Sequence, residues 1–452
     1  MIALAAAAAL SFSGNCVGSL CGVNELAPFL AKLHQANARP VHILQIGDSH
    51  TAGDTITGAW RDLLQQKYGG AGRGILPPGR PFNGYITQGV TVSMSPDWQI
   101  AGDFGSAWSS PSPPLGMSAY SLTTRTDGAS MAISADPNQA FNRFVVCAIM
   151  RPGGGKLQMR AGVNSVTFDL SSPTERPECR TLRLSSLVTS ADVTASDGMV
   201  TMTSWGTFHD GGGGGVVLSN LGVVGSQLVH WARTDDAVLT EEMRTYKPDL
   251  IVIAFGTNEG FSPRVSDFEF EATLRTQIGR VRRIAGNVPI LLLGAPDALS
   301  RRAEMRANAS IGPSANCGTP IAAPVVPREN VVTSIMNRLR DSIGLSSDAP
   351  QPDPAPVVVA PPPPAMSTGT TRGPLFPPAG LKAVRDMQRR IAASLNVAFW
   401  DWEAAMGGRC TADRWVHMDP PMMRGDYVHY TSAGGREIAR RLENDIEKAA
   451  AR

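Results

Sequence analysis

The stretch Val41-His42-Ile43-Leu44-Gln45-Ile46-Gly47-Asp48-Ser49-His50 decides the fold. Its first six residues are a short, mostly apolar run, which predicts a buried strand, and Gly47 predicts a sharp turn after it. Residues 55–67 follow with Ile56, Trp60, Leu63 and Leu64 at helical spacing. The chain therefore passes from a buried strand through a tight turn into a helix. A serine on such a turn has its hydroxyl exposed at the carboxyl end of a sheet, where open α/β folds carry their sites.

The same alternation returns downstream. Val216-Val217-Leu218 leads into Asn220-Leu221-Gly222-Val223-Val224-Gly225, and Leu250–Phe255 is the clearest strand in the chain. A helix fits 268–285, Ile290–Leu293 is a further strand, and a helix at 379–394 precedes a strand at Val397–Trp400. A last helix starts near Ser432. Strands alternating with helices imply a mostly parallel sheet covered on both faces. Two regions interrupt it. Between about Val90 and Gly215 the segments are short and alternating, as in Phe144–Ile149, Ser165–Leu170 and Met199–Met202, with Gly and Pro clusters between them. That texture predicts an inserted all-β sandwich. Residues 301–378 form a second excursion. Its proline-rich part, 353–364, predicts an exposed, extended linker, and a short helix fits 329–342.

At 452 residues, 42% hydrophobic and 18% charged, the chain reads as globular with one to three domains. Lys and Arg number 41 against 39 Asp and Glu, without a basic run, so no nucleic-acid partner is expected. Residues 1–21 read as a signal-like N-terminal segment. Met1–Phe12 is apolar and alanine-rich, too short to span a bilayer, and resembles the apolar core of a secretory signal lacking its basic leader. Export without a transmembrane anchor is the expectation. Cys16 follows Ser13-Gly14-Asn15, a poor match to a lipoprotein cleavage site. The six cysteines predict disulfides in an exported protein, and no Cys/His spacing predicts a metal. Among the 15 connectivities open to six cysteines, the sequential one is preferred: Cys16–Cys21, Cys147–Cys179 and Cys317–Cys410.

Four peptides carry chemistry, in order: Gly47-Asp48-Ser49-His50, Asn220–Gly225, Gly256-Thr257-Asn258-Glu259 and Asp426-Tyr427-Val428-His429. Ser49 is the candidate nucleophile, and a serine hydroxyl needs a base to remove its proton. His429 is the candidate base, with Asp426 orienting its ring. In a turn just before a helix, an Asp and a His three apart can lie side by side, so one loop delivers both. Each peptide alone reads more simply as a turn or a strand-end cap.

Together the four resemble the SGNH (GDSL-like) hydrolases, a superfamily of serine esterases. The resemblance implies a three-layer, flavodoxin-like α/β fold with a parallel sheet, interrupted here by the β insert. It implies an oxyanion hole built from the Ser49 N–H, the Gly225 N–H and the Asn258 side-chain amide. It implies no metal or cofactor. Glu259 stands where the third peptide of the family usually has Asp. Asp48, His50 and Glu259 are expected at the lining of the site, Asp48 holding the loop rather than doing chemistry. His42 is expected to be structural, and His34, His209, His230 and His417 have no partner motif.

The hydrolase domain is expected at 22–95 and 216–452, split by an insert at 96–215. Gly225 stands 176 residues after Ser49, His follows the nucleophile, and Gly69–Gly74 and Asp401–Gly408 are further markers. This layout looks like bacterial peptidoglycan O-acetylesterases, which carry a carbohydrate-binding-like β domain at this point. The implied function is removal of O-acetyl groups from a cell-wall or extracellular glycan, peptidoglycan first, through an acyl-serine intermediate. Alternatives are an esterase or thioesterase for small or lipid esters, an O-acetyltransferase, and a glycan-binding protein with a vestigial site. Trp98, Trp108, Tyr120, Trp205 and Phe208 of the insert could stack on sugars, although core positions are expected for most of them.

Overall fold

A computed structural model describes residues 15–211, 213–262, 267–307, 312–317 and 373–452. The signal-like run Met1–Phe12, the helix expected at 329–342 and the proline-rich segment 353–364 lie outside the described residues.

Among the described residues, the central sheet has seven strands. Five are parallel, in the spatial order Val216–Gly222, Val41–Gly47, Leu250–Ala254, Ile290–Leu293, Ala398–Trp400. Numbered along the chain this is the order 2-1-3-4-5, the doubly wound arrangement of flavodoxin-like folds. Every residue of Val41–Gly47 is buried, because neighbours pair with it on both edges and helices cover both faces. Alternate residues face opposite layers. Ile43, Leu218, Val252, Leu291 and Trp400 point to the layer of helices Ala27–Leu33, Thr55–Tyr68 and Ser432–Ala450. Leu44, Ile46, Ile251, Ile253, Leu292 and Phe399 point to that of Asp236–Tyr246, Asp267–Ala285 and Ala379–Ser394. The period-two split of an apolar run is what a strand imposes.

The edge beyond Ala398–Trp400 departs from the sequence reading. Cys16–Val17 and Leu20–Cys21 form a small hairpin, and Leu20–Cys21 pairs antiparallel with that strand. Residues 16–21, assigned by sequence to a signal-like segment, therefore build the sheet edge, tied by the Cys16–Cys21 disulfide. The Cys147–Cys179 and Cys317–Cys410 disulfides complete the sequential pairing.

The insert consists of two antiparallel sheets packed face to face. One runs Asn164–Asp169, Lys156–Ala161, Ser190–Ser196, Ser130–Ala135, Val90–Met94. The other runs Arg176–Val188, Phe141–Met150, Val200–Phe208, Tyr120–Thr124, Gln99–Gly102, with Gly74–Leu76 also on Val200–Phe208. Val90–Met94 and Gly74–Leu76 lie before the expected boundary at 96 yet pair inside these sheets. Val90–Met94 carries the alternation expected of the insert from Val90 onward, whereas Gly74–Leu76, at three residues, is too short to signal a strand. Trp98, Tyr120, Trp205 and Phe208 are buried, and only Trp108 of the five insert aromatics is partly exposed.

Among the described residues, no helix is long and apolar enough to cross a membrane.

Candidate active site

The nucleophile turn sits where the central strand ends. Asp48 is the N-cap of the short helix Ser49–Ala52, its carboxylate accepting the His50 backbone N–H at 2.9 Å. Gly47 is needed for space rather than for an unusual backbone angle. A Cβ there would lie 2.4 Å from Thr51 Oγ1 and 2.6 Å from the Ala254 carbonyl of the neighbouring strand.

The acid–base pair arrives from the other end of the chain. Asp426 Oδ1 accepts the backbone N–H groups of Val428 and His429, both at 2.9 Å, which folds 426–429 into one turn. Tyr427 takes a left-handed φ of 61° inside it. Asp426 Oδ2 then lies 2.8 Å from His429 Nδ1, and His429 Nε2 lies 3.0 Å from Ser49 Oγ. The three residues, joined across 380 positions of sequence, form a continuous Asp–His–Ser chain. Partial burial alone would raise the Asp426 pKa, but hydrogen bonds from His429 and Val428 hold it down at about 2. It is therefore ionised wherever the protein is folded at ordinary pH. The loop is fixed from behind by Thr431, which caps helix Ser432–Ala450 through the Gly434 N–H.

Gly225 and Asn258 sit just past the ends of the two strands flanking Val41–Gly47. Gly225 has a left-handed φ of 79°, and a Cβ on it would strike the Phe104 ring at 2.8 Å. Asn258 spends one amide hydrogen on the Ser226 carbonyl at 2.8 Å, which leaves the other for a ligand. Gln227 Nε2 donates to the Asn258 carbonyl at 3.1 Å, so the two loops hold each other.

Asp48 and Glu259, expected at the lining, are buried behind it. Glu259 Oε1 accepts the Leu228 N–H at 2.8 Å and so anchors the loop that carries Gly225. Burial, aided by the nearby Asp48 charge, pushes its carboxyl up to about 7. His50 reaches the lining but is 5% exposed, its ring nitrogens turned inward. His42 is structural, bonded to Ser219 and the Tyr246 carbonyl at the far end of its strand, where burial lowers its pKa to about 4.

Two supports were not legible as motifs. Asp54, in a left-handed conformation with φ 49°, is fully buried and accepts from Arg61, Arg73, Thr57 and the Gln88 N–H. Burial would raise its pKa, but the two guanidiniums hold it down at about 2. Arg61 and Arg73 also reach Asn220 Oδ1, while Asn220 Nδ2 donates to the Thr51 carbonyl at 3.0 Å. Asn220 thus ties its strand to the nucleophile helix. The second support comes from the insert. Ser226 donates to buried Asp103 at 3.0 Å, Arg233 donates to the Asp103 carbonyl, and Phe104 stacks on His230 at 4.5 Å. A sandwich loop therefore braces the Gly225 loop. Nothing local in 102–108 signals this, because the partners are more than 120 residues away.

The cleft above Ser49 and His429 measures about 330 Å³. Phe82, Ile86, Ile56 and Val224 give it an apolar wall, and Arg424 and Tyr430 also line it. Among the described residues, no group of three or more His, Cys, Asp or Glu is placed to hold a metal ion.

Residues 190–436 match the model of the GDSL-like Lipase/Acylhydrolase family. No curated protein matches the chain. Among solved structures, a peptidoglycan O-acetylesterase superposes with a TM-score of 0.68 at 21% identity, over 96% of this chain and 99% of that one. A family two carbohydrate esterase from Cellvibrio japonicus matches 46% of this chain and 79% of its own at 15% identity, with a TM-score of only 0.17. The first likeness establishes a shared fold across both the α/β core and the sandwich; the second superposes too loosely to carry an argument. The family match covers more than half of the chain, and the chain is an ester-hydrolysing member of the GDSL-like lipase/acylhydrolase family.

Proposed function

We propose that this protein is a serine O-acetylesterase that removes O-acetyl groups from a cell-wall or extracellular polysaccharide, most directly peptidoglycan. The observation that carries the catalytic reading is the chain from Asp426 Oδ2 to His429 Nδ1 at 2.8 Å and from His429 Nε2 to Ser49 Oγ at 3.0 Å. His429 takes the Ser49 proton as the hydroxyl oxygen attacks the acetyl carbonyl. The Ser49 and Gly225 N–H groups and the Asn258 amide receive the oxyanion. Collapse breaks the bond to the sugar oxygen, which leaves with the proton held by His429, and acetyl-Ser49 remains. A water, deprotonated by His429, then releases acetate and restores the hydroxyl. Asp426 stays ionised and stabilises the imidazolium in both halves.

The shared fold with a peptidoglycan O-acetylesterase, sandwich included, supports the glycan reading. Three disulfides support an oxidising location, periplasmic or extracellular.

The test is acetate release from O-acetylated peptidoglycan, O-acetylated xylan and p-nitrophenyl acetate by wild type and Ser49→Ala. Serine-dependent release favouring peptidoglycan is expected. Turnover confined to the small ester would overturn the glycan assignment, and turnover unchanged in Ser49→Ala would overturn the catalytic one.

A further inference from the structure

His50 directly follows the nucleophile and touches the cleft, yet both its ring nitrogens are turned into the protein. Nδ1 lies 3.1 Å from Asp48 Oδ1, and Nε2 lies 3.0 Å from the Val428 carbonyl, the residue before His429. The ring stands edge-on to Trp402 at 5.4 Å and to Tyr430 at 5.7 Å, and tilted over His429 at 5.5 Å. The two close partners of the ring are oxygens, and the Val428 carbonyl can only accept. A neutral imidazole has a single N–H and would set a lone pair against one of them.

We propose that His50 is a positioning residue: a buried, doubly donating imidazolium that ties the nucleophile turn to the loop carrying the catalytic base. The role rests on the reading of Ser49 and His429 as nucleophile and base.

The geometry of the loop makes the tether consequential. The Val428 N–H is held by Asp426 and the Val428 carbonyl by His50, so the backbone just before His429 is fixed from both sides. Asp48 meanwhile holds His50 through both its backbone N–H and its ring. One residue thus spans the two loops that must meet at the Ser49–His429 hydrogen bond.

The groups facing His50 favour the charge. Asp48 faces it from its own turn, with Asp48 Oδ2 buried and without a protein partner among the described residues. From helix Thr257–Gly260 the Thr257 hydroxyl lies 3.5 Å from Nδ1, and Glu259 sits beside Asp48 with its own Oε2 buried and without a partner among the described residues. From the base loop come Asp426, His429 and Tyr430, and Trp402 brings no charge. Burial opposes protonation of His50, but attraction and hydrogen bonding from Asp48 and the Val428 carbonyl outweigh it and raise the pKa. The sign follows: the tether is whole below the ordinary histidine range and is lost as pH climbs through the raised value.

The experiment compares wild type, His50→Gln and His50→Phe on p-nitrophenyl acetate across pH. His42→Gln, far from the site, controls for loss of a buried histidine. His50→Gln is expected to lower kcat by roughly 10- to 100-fold with KM within about twofold, since a slightly misplaced base costs rate rather than binding. Wild type is expected to show an alkaline fall of kcat as His50 loses its proton, and that fall is expected to be absent in His50→Gln. A His50→Gln enzyme with wild-type kcat, or one that keeps the alkaline limb, overturns the proposal. Nitrogen-15 spectra of the wild-type histidines give a reading that needs no variant to fold: His50 protonated on both ring nitrogens is expected below the ordinary histidine range, at about pH 6, and a singly protonated ring there overturns the proposal. Loss of the esterase assignment would appear separately, as Ser49→Ala retaining activity.

Discussion

Gly222→Ala tests whether the strand ends place the nucleophile. Gly222 closes Val216–Gly222 and pairs with Gly47, so it faces the nucleophile turn across the ladder. A Cβ there would lie 2.3 Å from the Ala52 backbone nitrogen and 2.6 Å from the Asp48 carbonyl. Ordinary contact begins near 3.4 Å, so the turn must move by about 1 Å. The atoms struck are backbone, so no side chain can swing aside. Its φ lies outside the left-handed region, so the substitution adds volume without conformational strain. Asp48 and Ala52 flank Ser49, and a shift of that size opens the 3.0 Å contact between Ser49 Oγ and His429 Nε2. A misplacement of about 1 Å can cost on the order of 100-fold in rate. The assay is kcat and KM on p-nitrophenyl acetate, with Tm measured on the same samples. Gly279→Ala is the matched control: it lies in helix Asp267–Ala285, a Cβ there meets nothing within 4 Å, and it is expected to leave kcat unchanged while stabilising by up to ~1 kcal/mol. A Gly222→Ala enzyme with lowered Tm and wild-type kcat would refute the reasoning, since the strand end would then support the fold without placing the serine.

Asp426→Asn is expected to lower kcat by roughly 10⁴-fold, because an amide neither selects the required His429 tautomer nor stabilises its cation. In wild type the Asp426 carboxylate contributes stability above the ordinary carboxylate range, and the contribution is lost as pH falls from about 4 towards 2; acid unfolding of the two proteins should converge there. Asp103 runs the other way: burial pushes it up to about 7, so its ionisation costs stability as pH rises from 4 through 7. Asp103→Asn, which keeps an acceptor for Ser226, is expected to recover on the order of 1 kcal/mol at pH 8 and nothing at pH 4, read by urea melts at both. Cys317→Ser with Cys410→Ser opens a link of sequence separation 93, and chain entropy sets the loss at up to about 4.6 kcal/mol, read as a drop in Tm that reductant does not deepen further at that bond.

Much of this molecule was legible because its chemistry is local in sequence. Val41–Gly47 announces itself as a buried strand, Asp48 as a residue that holds its loop, and Asp426 and His429 as two side chains of one turn. Helix Ala379–Ser394 and strand Ile290–Leu293 match their expected limits, since long periodic segments and short apolar runs report their own burial. What escaped was every feature whose meaning depends on a distant partner. Leu20–Cys21 is apolar enough for a signal segment and equally for a sheet edge, and only Phe399 and Trp400 across the ladder decide between them. Asp54 is an unremarkable turn residue until Arg61, Arg73 and Asn220 close around it. Glu259 looked like a neighbour of the oxyanion amide and is instead a buried post for the Leu228 N–H. His50 is the sharpest case. Its adjacency to Ser49 pointed to the substrate, but a helix start places successive side chains about 100° apart. The residue after an outward-facing nucleophile is therefore turned towards the protein, where the Val428 carbonyl waits. Along a strand-to-helix turn, neighbours in sequence have different surroundings, and the position next to a catalytic residue is better placed to support catalysis than to take part in it.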